Sequence, residues 1–319
     1  MIQEYLKLHI HLFNMKISGY SLDKEQTNIV LDDSDNLLVV AGAGSGKTLT
    51  ILGKINYLIN NKKINKNDIL CISFTRAASL SLKNKIKDEF NLDMNVYTFH
   101  KLSLEILNKN RIKYNITEND ILDNIIHEFI FIDILNSKKF MKLVLKQFKV
   151  KYKNKNSYLK FIENNRDIEI YEKLLSTFIH LFKCNGYNIS DFKKFKDKIN
   201  IFKYKYEKNF LILVLNIYLK YQNYLDNNNE IDFDDMIIKA TKLVKNTTLN
   251  YKYIIIDEYQ DTSFVRFNLI KEIITKTNSK LSSPFFIFSK PSYRLKISVS
   301  PSTIGRYMFF CLCHFSINC

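Results

Sequence analysis

Residues 41–48 read Ala-Gly-Ala-Gly-Ser-Gly-Lys-Thr. The apolar run Leu37-Leu38-Val39-Val40 precedes them, and the helix-spaced Leu49, Leu52, Ile55, Leu58 and Ile59 follow. A strand that turns through a glycine-rich loop into a helix is the order a phosphate-binding loop requires, and it demands a layered α/β fold around it. Glycines let the backbone curl until its N–H groups point inward, and the helix N-terminus adds a field that favours anions. Ala41, Gly42, Ala43, Gly44, Ser45 and Gly46 are therefore expected to cradle phosphate. Lys47 is placed to reach the β- and γ-phosphates, and the Thr48 hydroxyl to bind Mg²⁺.

A second segment, Tyr253-Ile254-Ile255-Ile256-Asp257-Glu258, ends a buried-strand pattern with two carboxylates. Asp257 is expected to hold Mg²⁺ through water and Glu258 to polarise an attacking water. An acidic pair after a strand is common, and a glycine-rich turn can arise by chance. Both following apolar strands in one chain point to a nucleoside-triphosphate site that takes Mg²⁺.

Strand-like and helix-like segments alternate over 22–109, with strands expected at 37–41, 69–74 and 94–97 and helices at 22–31, 47–60, 77–89 and 99–109. From 111 to 226 the alternation stops, and helical spacings such as Leu174, Leu175, Phe178, Leu181 and Phe182 take over. Sheet character returns at 252–257. The expected organisation is an α/β core over 20–110 and 227–278, interrupted by a mostly helical domain over 111–226. Residues 279–319 form an atypical tail. All three prolines and three of the five cysteines fall there, and no Asp or Glu follows Glu272. A basic disordered tail is one reading, against which its many Phe, Ile and Leu residues argue, and a frameshifted, truncated or otherwise foreign C-terminus is the other.

The chain carries 48 Lys and Arg against 32 Asp and Glu, a formal net charge of +16, which points to a polyanion as partner. Heavy use of Lys, Asn and Ile also fits an AT-rich genome. The five cysteines show no paired zinc spacing and no disulfide framework, which suits a reducing cytosol. Glu4, His9 and His11 interrupt the apolar positions at the start, and the run from Tyr307 to Cys313 falls short of the about 20 residues of a membrane helix. The expectation is a soluble, cytoplasmic protein that meets no membrane.

Four further patterns sit at element starts. Gln26, within Ser21-Leu22-Asp23-Lys24-Glu25-Gln26, has an amide that matches the N6 and N7 edge of adenine. Phe74-Thr75-Arg76-Ala77-Ala78 lies where a strand gives way to a helix, and Thr98-Phe99-His100 ends the next strand similarly. Asp232-Phe233-Asp234-Asp235-Met236-Ile237 opens a helix with Asp232 as an N-cap. Each alone is an ordinary turn or helix start.

In this order and spacing the set resembles the N-terminal part of superfamily 1 DNA helicases of the UvrD/Rep type, closest to the DNA helicase IV branch. The resemblance covers 20–275 and implies a RecA-like core with a helical insertion between the Thr-Phe-His element and the acidic strand. It implies that Gln26 serves the nucleotide. It also implies that Phe74, Thr75, Arg76, Thr98, Phe99 and His100 contact DNA, mainly single-stranded, and that translocation runs 3′ to 5′. The family continues with a Gly-Asp-x-x-Gln-x-Ile-Tyr element that nothing at 279–319 matches. An arginine finger contributes about 10³–10⁵ in phosphoryl transfer, so without a second core and its fingers hydrolysis is expected to be poor.

The leading expectation is the ATP-binding half of such a helicase, and the alternative is a catalytically silent ATP- or DNA-binding module. A P-loop kinase or transporter ATPase would leave 74–78 and 98–100 without purpose. The resemblance places duplex contacts in the helical insertion, and nine lysines between Asp133 and Glu163, with no acid among them and interleaved with Phe140, Phe148, Tyr152 and Tyr158, give 138–160 a charge density that suits a phosphate backbone. A solvated helix face is the plainer reading of that charge.

Overall fold

The computed structural model describes residues 16–17, 19–39, 41, 44–118, 120–148, 153–163, 165–198, 205–259 and 262–284. They divide into two compact units, one made of those within 16–113 and 236–284 and the other of those within 114–235.

The first unit is built on a five-stranded sheet. In chain order its strands are β3 (Asn36–Val39), β4 (Ile69–Ile72), β5 (Val96–Tyr97), β8 (Tyr253–Ile256) and β9 (Lys280–Pro284). They lie side by side as β3-β9-β8-β4-β5, every neighbouring pair parallel. β4 and β8 are buried along their whole length, which explains their unbroken apolar sequences, because a central parallel strand is covered on both faces. Their register pairs Ile69 with Tyr253 and Ile72 with Ile256.

Helices α1 (Lys24–Leu31), α2 (Lys47–Asn56), α3 (Arg76–Phe90), α4 (Phe99–Lys109) and α13 (Phe264–Thr277) belong to this unit, whereas α12 (Phe233–Leu243) has its first turn, through Asp235, in the second unit and the rest in the first. A small hairpin of β1 (Lys16–Ile17) and β2 (Tyr20–Ser21) precedes them. Val30, Leu31, Ile51, Leu52 and Ile55 of α1 and α2 pack with Ile69, Cys71 and Ile255 in one apolar cluster. This is the α/β, RecA-like sheet with flanking helices that the resemblance implies.

The strand at 280–284 lies past the composition break and has no apolar run of its own. Its place comes from pairing on both sides, with β3 and β8. The rest of the atypical tail, 285–319, lies outside the described residues.

The second unit is helical, with β6 (Asn115–Ile116) and β7 (Glu230–Ile231) forming a short parallel pair. Its helices are α5 (Ile121–Glu128), α6 (Ile134–Asn136), α7 (Lys138–Gln147), α8 (Lys155–Ile162), α9 (Asn165–Cys184), α10 (Ile189–Lys198) and α11 (Lys205–Asn227). The core is rich in aromatics: the Phe182 and Phe192 rings lie 3.9 Å apart, tilted by 31°, and Phe178 meets Phe210 edge-on at 5.2 Å.

Lys183, 2% exposed, ties α9 to the start of α12 through ion pairs with Asp232 and with Asp235 at 2.8 Å. Burial works against the Lys183 charge, and the two carboxylates outweigh it, so its pKa stands above the usual value. Asp232 caps α12 as expected, its side chain accepting from the Asp235 N–H at 2.8 Å. Among the described residues no helix is long and apolar enough to cross a membrane.

Candidate functional site

In a parallel sheet every strand ends at the same edge, and ligands of open α/β folds gather outside the carboxyl ends. Four sequence motifs follow β3, β4, β5 and β8, so the topology brings them to one edge. Gly44 and Gly46 hold left-handed backbones, with φ of +77° and +81°. Gly46 is also the N-cap of α2, and a Cβ there would meet Gln26 Nε2 at 2.5 Å. Ala41 lies just after β3, and Ser45 is exposed beside Gly46, whereas Gly42 and Ala43 lie outside the described residues.

Lys47 and Thr48 open α2, both half-buried. Lys47 Nζ stands 3.1 Å from Glu258 Oε1. The lysine of the glycine-rich loop and the acid after β8 thus face each other from sequence positions more than two hundred residues apart. Asp257 donates its backbone N–H to the Ile72 carbonyl at 2.9 Å, which extends the β8–β4 ladder by one step. Burial, and then the neighbouring Glu258 charge, push the Asp257 carboxyl above the ordinary carboxylate range, with Lys47 opposing. Glu258 sits at φ +56°, a conformation that costs a non-glycine residue energy and that tends to occur at functional sites.

Gln26 is brought to the loop. Its Nε2 donates to the Ser45 carbonyl at 3.2 Å, and its Oε1 accepts from the Asp23 N–H at 3.0 Å in a capping box on α1. Both ends of the amide are thus engaged by protein.

The motifs after β4 and β5 lie on adjacent strands. Thr75 and Thr98 cap α3 and α4, accepting from the N–H groups of Ala78 at 3.1 Å and Lys101 at 3.2 Å. Thr75 and Arg76 are exposed, Phe74 and His100 are half-buried, and Thr98 and Phe99 are buried. The guanidinium of Arg266, on α13, lies 4.6 Å from the Phe74 ring centre and 5.8 Å from that of Phe99. Nothing in the sequence singles out Arg266, because a lone arginine on a helix carries no local pattern.

The loop's left-handed glycines, its lysine and the carboxylates opposite form a donor set suited to a magnesium nucleotide. The hydroxyls of Ser73, Thr262 and Ser263 are buried with no hydrogen-bond partner among the described residues, so polar capacity remains at the ends of β4 and β8.

Comparison with known proteins agrees with this geometry. Residues 22–289 match the UvrD/REP helicase N-terminal domain. The chain belongs to that family. It is 29% identical over 262 residues to a probable DNA helicase II homolog of Mycoplasma pneumoniae, covering 78% of this chain and 33% of the relative. It is 30% identical over 275 residues to the ATP-dependent DNA helicase Rep of Buchnera aphidicola from Schizaphis graminum, covering 82% and 36%. Against the ATP-dependent DNA helicase PcrA of Staphylococcus epidermidis the figures are 27% over 266 residues, 80% and 32%. The chain therefore spans about a third of the length of the relatives it matches. Two of these relatives, Rep and PcrA, carry names that make them ATP-dependent DNA helicases.

Proposed function

We propose that this chain is the ATP-binding first core of a DNA helicase that moves 3′ to 5′ along single-stranded DNA. The observation that carries the reading is the meeting of Lys47 with Glu258 at the sheet edge, beside a loop whose glycines leave room for phosphate. Lys47 is to lie against the β- and γ-phosphates and Glu258 to orient the attacking water. Thr48 and Asp257 are the residues that would hold Mg²⁺, whose charge offsets that of the phosphates when bound. Gln26 would exchange its protein contacts for the adenine edge. Burial and the Glu258 charge raise the Asp257 pKa, and a bound cation would act in the opposite direction, favouring the carboxylate.

The DNA surface is assigned to the turn after β4 and the start of α4. Phe74, Thr75, Arg76 and His100 form its accessible part, while Thr98 and Phe99 support it from behind. Exposed Lys138, Lys139, Lys142, Lys155 and Lys160 are the residues left for a duplex contact on the helical unit. Of the aromatics interleaved with them, Tyr158 is fully buried and donates to the Ile130 carbonyl at 2.7 Å, Phe140 packs against the core, and Phe148, 37% exposed, lies against Phe161 at 4.4 Å. Lys149, Lys151 and Tyr152 lie outside the described residues.

The test is reconstitution. The chain is mixed with a separately expressed second motor core of a UvrD-type helicase, and ATP hydrolysis is followed with and without single-stranded DNA. DNA-stimulated turnover that Glu258→Gln removes supports the helicase reading. ATP and DNA binding with no turnover in any mixture would replace it with a silent binding module.

A further inference from the structure

Away from the nucleotide site, the helical unit gathers an imidazole, a thiol and a carboxylate at one point. His180 and Cys184 are four residues apart on α9, which places them on one face of the helix. Asp234, in the first turn of α12, reaches the same face. His180 Nδ1 stands 2.9 Å from Asp234 Oδ2, Cys184 Sγ 3.2 Å from Asp234 Oδ1, and Cys184 Sγ 3.9 Å from His180 Nδ1. Ligand atoms held about 2.0 Å (N and O) and about 2.3 Å (S) from one tetrahedral ion stand about 3.3–3.6 Å apart. The observed separations, 2.9–3.9 Å and measured to both oxygens of Asp234, lie on either side of that spacing.

The surroundings suit a cation. Cys184 and Asp234 are buried, whereas the His180 side chain is 61% exposed, so the cluster opens to water on one side only. Lys183 makes its ion pairs with Asp232 and Asp235, while the partners of Asp234 at contact distance are the histidine and the cysteine. Thiolate with imidazole selects a zinc-type ion over Mg²⁺ or Ca²⁺, which prefer all-oxygen sites.

We propose that His180, Cys184 and Asp234 bind one Zn²⁺-type ion, with water in the fourth position, and that the ion clips α9 to the first turn of α12. On binding, the Cys184 S–H proton and the proton shared by His180 and Asp234 pass to solvent, and no electron is transferred. The site is independent of the nucleotide reading.

Chelator-treated full-length chain is titrated with Co²⁺ under anaerobic conditions, as a spectroscopic substitute, and then with Zn²⁺. The expected result is one Co²⁺ per chain with a thiolate-to-cobalt charge-transfer band and the strong visible bands of four-coordination, all abolished by stoichiometric Zn²⁺. Cys184→Ser should remove the charge-transfer band. His180→Gln and Asp234→Asn should each weaken binding by more than the about 10–100-fold that loss of an outer-shell partner costs. A triple Cys311→Ser, Cys313→Ser, Cys319→Ser variant should keep the band. Circular dichroism of the metal-free variants reports whether the helices persist. If Asp234→Asn unfolds, His180→Gln carries the test, because its ring is exposed. Failure of wild type to show the band, its survival in Cys184→Ser, or its loss in the triple variant overturns the proposal.

Discussion

Gly46 is constrained twice, by a left-handed backbone and by Gln26 lying where a side chain would go. Gly44 shares the backbone constraint but has open space around the same position. A left-handed alanine costs about 1–2 kcal/mol, so both Gly→Ala variants should lose about that much stability. Gly46→Ala should lose more, and Gln26→Ala should restore the excess. A denaturant double-mutant cycle checks this, and strict additivity would remove the contact from the account.

Lys54 offers a test through pH. It is buried and donates to the carbonyls of Val30, at 3.0 Å, and Asp32, at the C-terminal end of α1. Burial lowers its pKa to about 8, against the pull of Asp33 and Asp32 and with the help of Lys62 and Lys280. Between about pH 8 and 10.5 the unfolded chain therefore binds the extra proton, and stability through this group rises with pH. The contribution between pH 8 and 10 is about 2 kcal/mol. Above about pH 10 the raised pKa of Tyr57 acts in the opposite direction. Lys54→Met should flatten the rise in urea-derived stability between pH 8 and 10, and an unchanged slope would contradict the assignment.

At the scale of elements, parallel strands turn dispersed motifs into one surface. Stacking contributes about 1–3 kcal/mol per base, so Phe74→Ala with Arg76→Ala should weaken single-stranded DNA binding by at least about tenfold and leave ATP affinity unchanged. Phe99→Ala belongs to another class: its ring is 3% exposed, so it should cost about 3–5 kcal/mol of stability. Fluorescence anisotropy and thermal melts separate the two, and DNA affinity unchanged in the first variant would take the path off this edge. On the helical unit, Lys138→Gln, Lys139→Gln and Lys142→Gln together should flatten the salt slope of duplex binding by about 0.9 for each phosphate no longer neutralised. An unaltered slope would make these residues surface charge.

What could be read in advance followed from locality. β4 and β8 are unbroken apolar runs, and the helices begin within about two residues of their expected starts, because a cap and a 3.6-residue period are local signals. The strand expected at 94–97 shortens to Val96–Tyr97, and the one at 280–284 depends on neighbours found far away in sequence. The site divides the same way. Lys47 and Glu258 sit in motifs, whereas the Gln26–Ser45 bond, Arg266 and the Asp234 side of the His180–Cys184 pair exist only once the chain has folded.

For the whole molecule, each compact unit has its own apolar core, and the first holds the elements that form the nucleotide edge. Lys47 stands at the centre of that edge, its side chain only 20% exposed yet outside both apolar clusters. Its ion pair with the partly exposed Glu258 contributes little to stability, so its loss should spare the fold. The most direct measurement is a calorimetric titration of Lys47→Ala with Mg²⁺–ATP beside wild type, each checked by circular dichroism. The account predicts binding by wild type, none detectable by the variant, and matching spectra; equal affinity in the two folded proteins would contradict it.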